Sequence, residues 1–221
     1  MRVVIAGGHG KIAKLLLSRL AEHGVECLGL VRNPEHTAEL RALGAESAVL
    51  DLETAPLATV AEIAEGADAL VFAAGAGPGS GAARKDTVDR AAAVLFAEAA
   101  QTAGVLRFVQ LSAMGLDRAY QPGVDDVFSA YLRAKEAAER DLRERDGLEW
   151  TILRPGRLTD EPATGSVELA EPGVLETGSG SVSRADVALV LAALLESGSA
   201  AGKTVELLAG NTPVDEAVAA L

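Results

Sequence analysis

Short apolar runs alternate with helix-like stretches along most of this chain, and that alternation restricts the fold more than any other feature. Runs of strand length stand at 3–6, 25–31, 47–50, 69–73, 106–111 and 150–153. Between them, helical spacing of apolar residues marks 11–23, 34–43, 57–65, 87–103 and 128–146, several followed by a glycine suited to stop a helix (Gly24, Gly44, Gly66, Gly104, Gly147). A strand that is apolar on both faces needs cover on both. Helices inserted between parallel strands supply it, so the pattern predicts an α/β fold, a doubly wound parallel sheet of the Rossmann type.

After Arg154-Pro155-Gly156 the character changes to a stretch rich in Pro, Gly, Thr and Ser with weak alternation, read as loops with short strands. "RADVALVLAALLESG" then returns to a helix with an Asp in its first turn, "KTVELLA" reads as a strand and "VDEAVAAL" as a terminal helix. The tail is too small to fold alone. We expect one domain over 1–221, with 1–155 as a dinucleotide-binding core. Residues 156–221 are expected to form a small substrate-side segment that walls a pocket at the carboxyl edge of the sheet.

A net charge of −12 argues against nucleic acid or an anionic membrane as partner, so a phosphate-bearing ligand would have to be held by local donors. The first strand starts at Arg2 with no room for a signal peptide, and the apolar stretch 187–195 is too short to span a bilayer. The chain reads as cytoplasmic, and as a monomer or homodimer acting on a small molecule. Cys27 is the one cysteine and is expected in the core of a strand. His9, His23 and His36 lack partners at ligand spacing, so no metal site is expected.

The first strand runs into Gly7-Gly8-His9-Gly10-Lys11 and then a helix. Both Gly8-x-Gly10-x-x-Ala13 and Gly7-x-x-Gly10-x-x-Ala13 fit dinucleotide fingerprints, in which glycines let the backbone approach a pyrophosphate at a helix N-terminus. At the end of the second strand, where sites that prefer NAD place a carboxylate, Val31-Arg32-Asn33 has none. Arg32, with Lys11 as a second cation, favours the 2′-phosphate of NADP(H) over NAD(H). Asp51 follows the third strand, placed to accept from an adenine amino group, with the backbone of Leu52 beside it. The glycine-rich "FAAGAGPGSG" after the fourth strand is expected along the ribose and nicotinamide side.

Ser112 ends the fifth strand, and "YLRAK" puts Tyr131 and Lys135 on one face of a helix. Hydride addition to a carbonyl requires a proton on its oxygen. Tyr131 suits that role if Lys135 lowers its pKa, and Ser112 could orient the carbonyl and stabilise the developing oxyanion. Tyr120 has no lysine at helical spacing. The substrate pocket is expected from 77–85, 114–127 and 159–183, partly apolar through Met114, Tyr120, Phe128 and Leu158.

With these residues assembled, the chain resembles the short-chain dehydrogenase/reductase superfamily, in its atypical branch of small NAD(P)H-binding proteins named epimerase/dehydratase or NAD(P)-dependent oxidoreductase. "IAGGHGKIA", "LVRNPEH", "VLDLE", "VFAAGAGPG", "GVLRFVQLSAMG", "YLRAKEAAER" and "LEWTILRPGRLTDEPATG" carry the resemblance. It implies that Gly7, Gly10 and Ile12 contact the pyrophosphate, Arg32 the adenosine phosphate, and Asp51 with Leu52 the adenine. It also implies that Ala73, Ala74 and Gly75 lie along the ribose, Lys135 bonds the nicotinamide ribose, Tyr131 is the acid/base and Pro155 borders the nicotinamide. Superfamily enzymes often carry an Asn on the helix after the fourth strand, completing a proton relay; "DTVDRAAAVLFAEAAQ" has none.

The leading expectation is an NADPH-dependent reductase of a small carbonyl or conjugated acceptor. The alternatives are an NAD-dependent sugar-nucleotide epimerase or dehydratase, and a non-catalytic NADP(H) sensor. The intact Ser112, Tyr131 and Lys135 argue against the sensor. Reduction of a flavin or linear tetrapyrrole would need an apolar stacking surface, which 3% aromatic content makes less inviting.

Overall fold

The computed structural model describes residues 1–77, 79–175 and 180–221. Its first half alternates as the sequence predicts: β1 (Arg2–Ala6), α1 (Lys11–Glu22), β2 (Glu26–Val31), α2 (Thr37–Ala42), β3 (Glu46–Val49), α3 (Leu57–Ala64) and β4 (Ala69–Phe72). Residues 34–43 do not form one helix. Pro34–His36 is a 3-10 turn, entered where the Asn33 side chain accepts from the Glu35 amide at 3.0 Å, and α2 follows it.

The expected helix 87–103 begins earlier and changes its winding. It opens as the short α4 (Ala82–Arg84), passes through a π-helical segment over Lys85–Ala92 and continues as α5 (Ala93–Ala103). π-Helical turns put fewer residues at optimal backbone geometry, and they occur mostly where a site needs them. Then come β5 (Arg107–Leu111), α6 (Asp126–Arg143) and β6 (Glu149–Pro155).

The tail contributes β7 (Arg157–Thr159), β8 (Ser166–Ala170), β9 (Ser181–Ser183), α7 (Arg184–Ser197), β10 (Lys203–Ala209), β11 (Thr212–Pro213) and α8 (Val214–Ala219). Among the described residues nine strands form one sheet in the order β11-β8-β10-β6-β5-β4-β1-β2-β3, and β7 pairs with β9 separately. The run from β3 to β10 is parallel; β8 is antiparallel to β10, and β11 to β8. The tail thus extends the sheet itself. The buried Asp186 carboxylate, in the first turn of α7, fastens it by accepting from the Ser183 hydroxyl (2.8 Å) and the Gly165 amide (2.9 Å).

Alternate residues of β1 feed two cores. Val3 and Ile5 pack with Leu16, Leu17 and Leu20 of α1 and the apolar face of α7, while Val4 and Ala6 pack with α3, α5 and α6 through Val60, Phe96 and Leu142. Both faces being covered explains why these strands read as unbroken apolar runs. Cys27 is buried within the first of these cores, and burial pushes its thiol up to about 11. No described helix is long and apolar enough to cross a membrane.

Candidate functional site

The strand order reverses between β1 and β4, the place where a doubly wound sheet opens a crevice at its carboxyl edge. Two loops meet there, the glycine loop after β1 and the segment from Ala73 after β4. Gly7 has φ +76°, and a Cβ on it would lie 2.6 Å from the Ala74 Cα; no side chain fits between the two loops. Gly8 is as tightly placed against β2, where a Cβ would come within 2.8 Å of the Gly29 Cα. α1 starts immediately after Gly10, so its first amides have no acceptor within the helix and its positive end opens on the crevice.

A cavity of about 480 Å³ occupies this crevice. It is lined by Gly7, Gly10, Arg32, Asp51, Leu52, Ala73, Ala74 and Gly75, all singled out from the sequence, and by His9, Asn33, His36 and Glu53 as well. Asp51 Oδ1 accepts from the Glu53 amide at 3.0 Å, which fixes the turn after β3. Four other candidates lie elsewhere. The Lys11 ammonium meets Asp160 at 2.6 Å in a groove on the far side of the α1 N-terminus, so it is not a second cation beside Arg32. The Ile12 side chain belongs to the core, Pro155 ends β6 with its carbonyl accepting from the Met114 amide, and Lys135 is buried on α6.

The end of β2 carries no carboxylate, as the sequence shows, but the fold brings one to Arg32 from another strand end. Glu53, from the turn after β3, lies in the same cavity with its carboxylate 3.0 Å from Arg32 Nη1. Arg84 Nη2 (2.6 Å) and the Thr87 hydroxyl (2.6 Å) hold it from the other side. The Arg84 hydrogen bond, with that of Thr87, lowers the Glu53 pKa below the usual carboxylate range.

Beyond Gly75 the crevice wall is the π-helical segment, which buries Lys85, Val88, Asp89 and Ala92. Asp89 is 1% exposed; its Oδ2 accepts from the Ala76 amide at 3.2 Å and its Oδ1 stands 3.4 Å from Lys135 Nζ without a hydrogen-bond partner among the described residues. Lys135, 4% exposed, also donates to the Leu111 carbonyl at 3.2 Å. Tyr131 lies between two ammonium groups, Lys85 Nζ at 5.4 Å and Lys135 Nζ at 5.9 Å from its ring centre. Lys85 donates to the Gly77 carbonyl at 2.9 Å, tying the loop to the helix. Phe128 stacks on Tyr131 at 6.0 Å, with the Arg118 guanidinium 5.5 Å from the Phe128 ring centre.

The expected lowering of the Tyr131 pKa by Lys135 is not what this environment produces. Burial raises it first, and the Asp89 charge adds to the rise, so the phenol holds its proton firmly. Burial lowers the Lys135 pKa, and Asp89 opposes that fall.

Ser112 stands apart from this group. It is buried, and its hydroxyl donates to Glu139 Oε1 at 2.6 Å, which leaves no hydroxyl proton to hold a substrate carbonyl. Glu139 is 0% exposed and also receives Arg154 (2.5 and 2.9 Å) and Arg143 (2.6 Å). Tyr120 is exposed and donates to Glu136. The sequence pattern does not mark Asp89, Lys85 or Glu53; the i, i+4, i+8 spacing of Tyr131, Lys135 and Glu139 does place the three on one helix face, the last two buried. Residues 78 and 176–179, inside the expected pocket segments, lie outside the described residues.

Comparison with known proteins agrees with this crevice. Residues 7–198 match the NAD(P)H-binding family. A Bacillus subtilis protein, the uncharacterized sugar epimerase YhfK, is 35% identical over 99% of both chains. A Bacillus halodurans structure, provisionally named an NAD-dependent epimerase/dehydratase, is 36% identical over the whole of both chains, with a TM-score of 0.91. The Lactococcus lactis oxidoreductase YlbE is 27% identical, covering 100% of this chain and 96% of its own, with a TM-score of 0.84. The glycine loop packed on Ala74, the helix start beyond it and the cavity between them are what the match leads one to find: the chain belongs to the NAD(P)H-binding family.

Proposed function

We propose that this protein is an NADPH-dependent oxidoreductase of the short-chain dehydrogenase/reductase type that reduces a small carbonyl or a related conjugated acceptor. The observation that carries the reading is the half-buried Tyr131 with the buried Lys135, Asp89 and Lys85 beside a cavity of dinucleotide character. The closed approach of Gly7 to Ala74 fits a backbone cradle for a pyrophosphate, with the α1 N-terminus behind it. Asp51 and Leu52 would hold the adenine, Arg32 the adenosine 2′-phosphate, and the backbone from Ala73 to Gly75 the ribose. When bound, the nicotinamide nucleotide supplies the hydride.

The chain's own residues do the rest. Tyr131 holds its proton through neutral pH and delivers it to the acceptor oxygen as negative charge builds there. The tyrosinate left behind sits between two ammonium groups, which stabilise it until solvent returns a proton. Lys135 uses one N–H on Leu111 and faces Asp89 with another; the third is free for a ribose hydroxyl. Ser112 acts through Glu139 as a positioning residue. Phe128, stacked on Tyr131, offers the acceptor an apolar surface.

A second reading is favoured by Glu53, whose carboxylate could accept from the ribose hydroxyls of NAD, and by the epimerase names of the two Bacillus relatives. There the nucleotide would stay bound and be reduced and reoxidised within one cycle. Calorimetry of the purified protein with NADPH, NADP⁺, NADH and NAD⁺, after assay for copurified nucleotide, separates the two. Selective NADPH binding to an empty protein, weakened by Arg32→Ala, supports the reductase. Copurified NAD⁺ overturns it in favour of the internal redox cycle.

A further inference from the structure

Glu53 is oddly placed: it lines the cavity beside Arg32 and is gripped from behind by a second arginine, Arg84. Its side chain is 19% exposed, lines the cavity, and takes Arg32 from the turn after β2, Arg84 from α4 and Thr87 from the π-helical segment, all at 2.6–3.0 Å. Two guanidinium groups and a hydroxyl converging on one anion from separate elements form the donor set that a phosphate monoester requires. The carboxylate fills that set from within the chain.

We infer that Glu53 is an internal stand-in for the adenosine 2′-phosphate: a displaceable anion that sets the NADP(H)/NAD(H) preference by competing for Arg32 and Arg84. The inference rests on the cofactor cavity assigned above, and it makes Arg84 a second specificity-determining cation. Binding of a 2′-phosphorylated nucleotide exchanges a carboxylate for a phosphate on the same donors. The phosphate carries more charge and more acceptor oxygens, so the exchange is favourable, but less so than filling an empty site. A nucleotide with a free 2′-hydroxyl leaves the carboxylate where it is. Glu53 therefore weakens NADP(H) selectively, and its removal should release that restraint.

Glu53→Gln keeps the shape and a hydrogen-bonding amide while removing the charge. Calorimetry on wild type, Glu53→Gln and Arg84→Ala would use four probes: NADPH, NADH, 2′,5′-ADP and 5′-AMP. The expected result is that Glu53→Gln binds NADPH and 2′,5′-ADP about tenfold more tightly, with NADH and 5′-AMP changed by less than about twofold. Arg84→Ala should lose about tenfold for the 2′-phosphorylated pair alone, with its fold checked by circular dichroism. Equal changes for all four probes would overturn the inference, because they report only the general field of the cavity. Weaker NADH and 5′-AMP with unchanged NADPH would overturn it too, because Glu53 then reads ribose hydroxyls. The readout is separate from turnover and from the wild-type preference. A protein that favours NADH yet moves toward NADPH in Glu53→Gln keeps this inference and loses the proposed cofactor; one that binds as expected but reduces nothing loses only the proposed reaction.

Discussion

Lys135 Nζ lies 3.4 Å from Asp89 Oδ1, with both side chains at least 95% buried and no other described hydrogen-bond partner on that oxygen. A buried pair of this kind is costly to break by removing one member, because the other charge is left without compensation. Burial lowers the Lys135 pKa and Asp89 raises it, so Asp89→Asn removes the opposing influence and lets the ammonium lose its proton at lower pH. The pH–rate profile of the variant should show its alkaline limb displaced toward lower pH, with turnover reduced roughly a hundredfold at neutral pH. An unchanged alkaline limb would remove Lys135 as the group Asp89 serves.

Tyr131→Phe keeps the ring against Phe128 and deletes only the hydroxyl. Reduction of an accepted carbonyl should fall by roughly a hundred- to ten-thousandfold, with the dissociation constant for NADPH unchanged. Full turnover in this variant would return the proton donor to solvent or to Lys85.

Ser112 and Glu139 should separate stability from chemistry. Glu139→Ala strands Arg154 and Arg143 around an empty site and should cost about 3–5 kcal/mol in urea unfolding. Ser112→Ala loses one hydrogen bond from a carboxylate that keeps two arginines, and should cost about 1–3 kcal/mol. If Ser112 works only through Glu139, Ser112→Ala retains most of its turnover at temperatures where it is folded. A loss of turnover as large as that of Tyr131→Phe would restore it as a group touching substrate.

Gly7→Ala tests the crevice. The left-handed conformation costs an alanine about 1–2 kcal/mol, and its methyl would overlap Ala74 as well. The loops must part to relieve the overlap. Nucleotide binding should be lost by calorimetry while circular dichroism still shows a folded α/β protein.

The residues that could be read from the sequence are those whose roles follow from local order. β1 and β4 are apolar on both faces because both faces are covered, and the glycine loop is bounded by a strand and a helix. Asp89 looks like any solvated acid of a helix in "TVDRAAAV"; its burial is decided by α6 and the Ala76 loop, far apart in sequence. Glu53 is not legible from the residues at the end of β2, because the carboxylate arrives from the turn after β3. Ser112 was placed at the right end of the right strand, but side-chain direction there is set by Glu139, two helical turns past Tyr131. The tail is too small to fold alone, which predicts that it packs at the edge of the sheet, but its weak alternation hides which of its strands join that sheet. Three of them extend the main sheet.

Arg84 and Lys85 are neighbours in the chain, at the junction where α4 passes into the π-helical segment. One grips Glu53 beside Arg32, and the other holds the Gly77 carbonyl and faces the Tyr131 ring. Under the proposed cofactor placement, the two ends of a long ligand would be felt by consecutive residues of one helix. A fragment such as 2′,5′-ADP that displaces Glu53 from Arg84 should alter hydrogen–deuterium exchange at 81–85 as well as at Glu53, because Arg84 and Lys85 share one helical turn. The wide winding from Lys85 to Ala92 begins directly after Arg84 and carries Lys85 inward. Deleting one residue from it would favour an ordinary helix, turn everything before the deletion by about 100°, and uncouple both ends in one stroke.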